Sequence, residues 1–192
     1  MKTLVIHPTD KSTTFLCPIY GQIEDATIVN SCEDRHELRE LVATHDQILM
    51  MGHGSPEGLW GRGQFGRSID HFNDKPIVRS NLAIDESFVD LLKSKQLLSV
   101  WCNADDFINP NKLSGFFTGM FISEVSEAYF FKIKTNQATV DESNDLFAKL
   151  VGESINQGLN ASYCYVLEEY GKLAENNPVA DYNWRRLYYY PN

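Results

Sequence analysis

The sequence predicts an α/β protein, a three-layer α/β/α sandwich around a mainly parallel sheet. Segments rich in β-branched residues alternate with segments whose apolar residues recur at helical spacing. Two strand segments, 47–51 and 97–101, are largely apolar, as expected for strands that are buried on both faces of a parallel sheet. The length of 192 residues suffices for one hydrophobic core, so we expect a single domain over 1–192.

The first half of the chain is predicted to contain three strands and a helix. KTLVIHP at 2–8 and ATIVN at 26–30 have the composition of strands, and a helix or irregular crossover is expected between them at 10–21. A helix over 32–45 is indicated by its apolar spacing and by the acids in its first turn. QILMM at 47–51 is the third strand, and the Gly-rich stretch 56–81 is a predicted loop with a hairpin.

The second half repeats the alternation. IDESFVDLLKSK at 84–95 is a predicted amphipathic helix, and LLSVW at 97–101 is a predicted buried strand. Residues 123–132 and 141–157 are expected to be helical, whereas 161–167 suits a strand or a helix equally. The aromatic tail 181–192 is expected to pack back onto the domain.

Composition excludes several classes of protein. The net charge of -9 argues against a nucleic-acid or anionic-membrane binder, since both need a basic face. The same charge is compatible with an ordinary solvated surface or with a preference for cationic substrates. The sequence carries no signal peptide and no apolar run long enough to span a membrane. Its four cysteines are scattered, which indicates reduced thiols and a cytoplasmic location.

The clearest functional pattern joins His53 to Cys102. The strand QILMM ends at Gly-His-Gly, and the strand LLSVW ends at Cys102, about 50 residues later, which is room for one loop and one crossover helix. Ligands bind at the C-terminal ends of strands in open α/β sheets. If the two strands are neighbours, an imidazole and a thiol meet there and form a nucleophile with its base, with a lowered thiol pKa.

An apolar strand ending in His-Gly, followed by a second apolar strand ending in Cys, resembles the caspase-like fold of clan CD cysteine peptidases. This group includes caspases, legumains, clostripain, gingipains, separases and bacterial CHAT proteases. The resemblance covers about residues 1–132, with MGHGS and SVWCNAD as its specific core. It implies that 133–192 is a helical and aromatic C-terminal part of the same domain.

The resemblance implies roles for individual residues. His53 would be the general base or acid, Cys102 the nucleophile, and the backbone N–H groups of Gly54 and Cys102 the oxyanion site. A glycine at 54 would let the backbone approach the scissile carbonyl closely. The sequence departs from the caspase motif at VWCNAD, because Trp101 is bulky and no glycine follows the cysteine closely.

The candidates for the substrate pocket are Ser55, Asp105, Asp106 and Asp181. Carboxylates after the nucleophile would receive a Lys or Arg side chain, which predicts cleavage after basic residues. The alternative is that these acids face solvent in loops. His7, which also ends a strand, is a further candidate for the rim of the site. No spacing of His or Cys places two metal ligands on one element, so we expect no metal and no cofactor.

The predicted function is therefore a cysteine peptidase that acts on a peptide or protein substrate through a thioacyl-enzyme. Two alternatives remain open at this point. The first is a catalytically inactive caspase-like binding module, since a fold alone does not guarantee activity. The second is an α/β protein that binds a small molecule or nucleotide. The sequence does not indicate the oligomeric state.

Overall fold

A computed structural model describes residues 1–31, 34–61 and 82–191 of the chain. The protein is α/β, with a mostly parallel six-stranded sheet and a small three-stranded sheet. The nine strands of this part are β1 (Thr3–Ile6), β2 (Thr27–Val29), β3 (Gln47–Met51), β4 (Gly54–Ser55), β5 (Gly58–Trp60), β6 (Leu82–Ile84), β7 (Gln96–Val100), β8 (Gly115–Thr118) and β9 (Leu187–Tyr190).

The large sheet has the strand order β2-β1-β3-β7-β8-β9. The first five strands in this order are parallel to their neighbours, and β9 pairs antiparallel with β8. Strands β4, β5 and β6 form a separate antiparallel sheet directly after β3. The predicted loop 56–81 therefore begins with a hairpin, and residues 62–81 lie outside the described part of the chain.

Helices alternate with the strands of the large sheet as far as β8, and four α-helices then follow one another before β9. The α-helices of the described residues are α1 (Arg35–Thr44), α2 (Val89–Leu92), α3 (Ala104–Ile108), α4 (Val125–Phe130), α5 (Gln137–Ser154), α6 (Leu159–Ala174) and α7 (Pro178–Trp184). Short 3₁₀ helices span Thr14–Ile19, Glu86–Phe88 and Ile155–Gln157. No helix in these residues is long and apolar enough to cross a membrane.

Both faces of the large sheet are covered. Successive residues of one strand point to opposite faces, so Leu4 and Ile6 join one apolar cluster with α1, α2 and α3. Val5 and Leu49 belong to a second cluster with α5, α6 and the first 3₁₀ helix. The arrangement is compatible with an α/β sandwich and explains why β1 and β3 are buried along their whole length.

The predicted strands β1, β2, β3 and β7 and the helix α1 are confirmed with small changes in bounds. The segment 84–95 is shorter as a helix than predicted, because Ile84 pairs in β6 and the helix ends at Leu92. Residues 161–167 lie inside α6. Strands β8 and β9 were not predicted. The tail packs back as expected, with β9 closing one side of the large sheet.

Candidate functional site

His53 and Cys102 follow two adjacent parallel strands that are paired in register. Met51 at the end of β3 pairs with Val100 at the end of β7, and each candidate residue comes two positions after its member of this pair. The Gly52 amide donates to the Val100 carbonyl oxygen at 3.1 Å, which continues the pairing past the strands. The prediction that the two strands are neighbours is confirmed. Both residues therefore lie at the C-terminal edge of the sheet.

The His53 imidazole is held by the loop that follows β1. Its Nε2 atom lies 3.0 Å from Asp10 Oδ2 and 2.8 Å from Ser12 Oγ. The Ser12 hydroxyl is also 2.7 Å from Asp10 Oδ1, and the Ser12 and Thr13 amides donate to that same oxygen. The His53 side chain is only 12% exposed, so the contact with Asp10 is shielded from water. Asp10 and Ser12 thus fix the orientation of the ring.

These contacts also determine which nitrogen of His53 carries the proton. The Ser12 hydroxyl donates its one proton to Asp10 Oδ1, so its oxygen accepts from the ring and Nε2 carries the N–H. In the neutral ring, Nδ1 then holds the lone pair, and it makes no hydrogen bond to a described residue. The loop after β1 therefore prepares Nδ1 to accept a proton.

His7 lies beside this pair but is not free to act as a base. Its side chain is fully buried, its Nδ1 atom is 3.1 Å from the Tyr20 hydroxyl oxygen, and its Nε2 atom has no hydrogen-bond partner. Burial lowers the pKa of His7 to about 4, although Asp10 acts in the opposite direction. His7 is thus a neutral buried residue behind the site rather than on its rim.

The Cys102 thiol is hydrogen-bonded to a backbone carbonyl and not to His53. Its Sγ atom donates to the Phe121 carbonyl oxygen at 3.5 Å, and the half-buried carboxyl of Glu127 lies close enough to act on it. Burial, then the charge of Glu127, raises the pKa of Cys102 to about 12. The sequence predicted a lowered thiol pKa, and the structure has the opposite because the thiol is buried and lies near the Glu127 carboxyl, which together outweigh the contact with Phe121. The thiol is therefore protonated at rest.

Trp101 explains the glycine at position 54. A Cβ on Gly54 would lie 2.1 Å from Trp101 Cδ1, so no other residue fits against the indole ring. The ring is 1% exposed, and its Nε1 atom donates to the Ser55 carbonyl oxygen. The bulky residue before Cys102 thus packs under β4. This packing by itself requires a glycine at position 54. The oxyanion role of the Gly54 and Cys102 amides stays a prediction.

The predicted pocket residues are not brought together. Asp105 lines a cavity of about 290 Å³ that begins at Asn103, next to Cys102, while Asp106 is exposed on the same helix. Asp181 lines a different groove, between α6 and α7, and pairs with Arg185. Ser55 donates to the Glu57 carboxylate at 2.6 Å. Burial and the adjacent Asp106 raise the pKa of Asp105.

Two residues of the site escaped the sequence analysis. Asp10 and Ser12 lie in the segment 10–21, for which the sequence predicts only a helix or an irregular crossover, and their contact with His53 spans about 40 residues. A signal was present, because Asp-Lys-Ser-Thr follows a strand whose carboxyl end reaches the same sheet edge. Among the described residues, no cluster of three or more His, Cys, Asp or Glu is arranged to hold a metal ion.

Comparison of the chain with protein-family models, with curated proteins and with solved structures finds no match.

Proposed function

We propose that the protein is a caspase-like cysteine peptidase, with Cys102 as nucleophile and His53 as its general base. The observation that carries the proposal is the in-register pairing of β3 and β7, which delivers both residues to one sheet edge. The Asp10–His53 contact supports it, because an acid that orients a base is the usual third member of such a site. The two-sided packing of the sheet suits the three-layer sandwich of that group.

The first half of the proposed reaction forms a thioacyl-enzyme. The Cys102 thiol gives its proton to Nδ1 of His53, and the thiolate attacks the carbonyl carbon of the scissile peptide bond. The backbone amides of Gly54 and Cys102 are the proposed donors to the resulting oxyanion. The C–N bond then breaks, and the amine leaves with the proton from Nδ1. Asp10 stabilises the positive charge that His53 carries in between.

The second half releases the acid product. A water molecule gives a proton to Nδ1 of His53 and attacks the thioacyl carbon. The C–S bond breaks, and the sulfur takes the proton back. The substrate is a peptide or protein, and the two products carry the new carboxyl terminus and the new amino terminus of the cleaved bond.

This chemistry requires the thiol to leave its resting position. The Cys102 side chain must rotate from the Phe121 carbonyl toward His53. The thiol then donates to the lone pair on Nδ1 of His53 instead of to the Phe121 carbonyl oxygen. It also takes the sulfur away from Glu127, whose charge opposes formation of the thiolate. We propose that an occupied substrate site favours the turned position, because the peptide displaces the water that competes for Nδ1.

A second candidate function is a catalytically inactive binding module on the same scaffold. The observation that favours it is the thiol itself, which is protonated and bonded to Phe121 rather than to His53. In that case Asp10, Ser12 and His53 form a structural hydrogen-bond cluster, and the strand ends bind a peptide without cleaving it.

The two candidates are separated by cleavage of a mixed peptide library, read by mass spectrometry. We expect the wild-type protein to produce new termini, and Cys102→Ala and His53→Ala to abolish them. Cys164→Ala is the matched control, because Cys164 is an exposed cysteine on α6 and its loss should leave cleavage unchanged. A wild-type protein that cleaves no peptide in the library would overturn the peptidase proposal, and binding of the same peptides without cleavage would support the binding module.

A further inference from the structure

The cavity beside Cys102 contains two opposite charges that do not pair with each other. Asp105 and Arg186 both line it, together with Gly119. A Cβ on Gly119 would lie 3.4 Å from Asp105 Oδ1 and 3.3 Å from Arg186 Cβ. A side chain entering here therefore meets both a carboxyl and a guanidinium group. We call this cavity the 105/186 pocket.

Each charged group retains hydrogen-bonding capacity. The Arg186 guanidinium stacks on the Tyr182 ring, 3.6 Å from its centroid, and Nη1 donates to the Tyr182 carbonyl oxygen. Most of its five N–H donors remain available, and the stacking holds its plane in place. The Asp105 carboxyl makes no salt bridge within the described residues, and Arg186 only partly offsets its burial.

Charge alone disfavours ionic side chains in this pocket. A Lys or Arg side chain that reached Asp105 would be placed beside the Arg186 guanidinium, and an Asp or Glu side chain would be placed beside Asp105. A primary carboxamide satisfies both walls, because its NH₂ group donates to a carboxyl and its oxygen accepts from a guanidinium. Phe131 and Tyr182 supply apolar surface for the short methylene stem.

We infer that the 105/186 pocket selects the carboxamide side chain of Gln or Asn on the residue that precedes the scissile bond. The inference rests on the proposed peptidase function. Asn103 lines the pocket and directly follows Cys102, the proposed nucleophile, so the pocket lies next to the proposed reacting atoms. It replaces the preference for basic residues that the sequence predicts from Asp105 and Asp106, because Arg186 lines the same pocket.

The test uses matched peptides that differ only in the residue before the cleaved bond, with Gln, Asn, Lys, Arg, Glu and Asp at that position. We expect kcat/KM for the better of the Gln and Asn peptides to exceed that for each peptide with a charged residue by about tenfold or more. A charged side chain is repelled by whichever of Asp105 and Arg186 has the same sign of charge. Arg186→Met should move the preference toward Lys and Arg. Asp105→Asn should move it toward Glu and Asp.

Two control variants make the outcome specific. Arg185→Met removes the neighbouring exposed guanidinium, which pairs with Asp181, and Asp145→Asn removes an exposed carboxylate on α5. Neither should alter the order of preference. A wild-type preference for Lys or Arg, or a shift of equal size in the control variants, would overturn the inference.

A binding measurement separates this inference from the proposed function. Calorimetric titration of Cys102→Ala with the same peptides reports selection without catalysis. If the wild type cleaves nothing but the variant binds the Gln or Asn peptide about tenfold more tightly than the Lys and Glu peptides, the function fails and the pocket assignment stands. Equal binding of all the peptides overturns the pocket assignment.

Discussion

The Asp10 carboxylate lies 3.0 Å from Nε2 of His53, and this contact links the first loop of the chain to the end of the third strand. The contact is shared with Ser12, which bonds to both partners. Because the Ser12 proton goes to Asp10, Nε2 of His53 carries the ring proton and Nδ1 holds the lone pair of the neutral ring.

Asp10→Asn should release the tautomer of His53, because an amide NH₂ can donate to the Ser12 oxygen and so free the Ser12 proton for Nε2. We expect ¹⁵N chemical shifts of His53 to show Nε2–H in the wild type and a mixture in the variant. If the protein is a peptidase, kcat should fall about 100-fold or more. Asp90→Asn, an exposed acid that pairs with Lys93, is the control and should change neither readout.

Cys102 should be alkylated more slowly than Cys164 in the free protein. Its thiol has a pKa of about 12, so the thiolate fraction is very small at pH 7 and rises continuously through pH 9. Cys164 is exposed on α6. Iodoacetamide at a limiting dose, with mapping of the labelled cysteine by mass spectrometry, measures both rates. Selective labelling of Cys102 below pH 7 that is lost in His53→Ala would show that the thiol faces His53 in solution.

Gly54→Ala should destabilise the protein by about 1–3 kcal/mol, because its Cβ overlaps the Trp101 ring and the core around it is full. Urea denaturation measures the loss. Gly21→Ala is the control, since a Cβ there meets only ordinary contacts, the nearest at 3.6 Å. The smaller ring of Trp101→Phe should partly rescue Gly54→Ala, with a coupling of about 1 kcal/mol. Simple additivity of the two changes would contradict the packing explanation.

His7 should make the fold less stable as the pH falls from 6.5 to 4. Its pKa is about 4 in the folded protein and near 6.5 in an unfolded chain, so the unfolded state binds more protons in this window. Above pH 6.5 the ring is neutral in both states and the penalty is absent. Over the window the loss is about 3 kcal/mol.

The measurement for His7 is the free energy of unfolding against pH, compared between the wild type and His7→Gln. The variant should lose the part of the slope that His7 contributes. His36→Gln is the matched control, because the side chain of His36 is 83% exposed. Parallel pH curves for wild type and His7→Gln would rule out His7 as the titrating group.

The sequence predicted the parts of the site that depend on strand ends. The apolar runs that became β3 and β7 are long and continuous, so their ends and the positions of His53 and Cys102 could be located. Strand β8 was missed because Gly-Phe-Phe-Thr is short and is recognisable only by its pairing with β7.

The direction of the Cys102 thiol could not be predicted at all. It depends on the Phe121 carbonyl and on Glu127, both of which are placed by the segment between β8 and α4. Asp10 is a similar case, since its contact with His53 is long-range. Local patterns specify elements, whereas the charge around a reacting atom comes from residues that are distant in sequence.

The last residues of the described chain complete the neighbourhood of Cys102. The Asn183 side chain bonds to both the amide and the carbonyl of Ile122, and the Gly119 amide donates to the Arg186 carbonyl oxygen. During synthesis the ribosome therefore delivers His53 and Cys102 well before the residues that shape the surroundings of the thiol. A nascent chain of about 130 residues would hold His53 and Cys102 yet lack Tyr182, Arg186 and Tyr188, so the 105/186 pocket forms only once these later residues have been made.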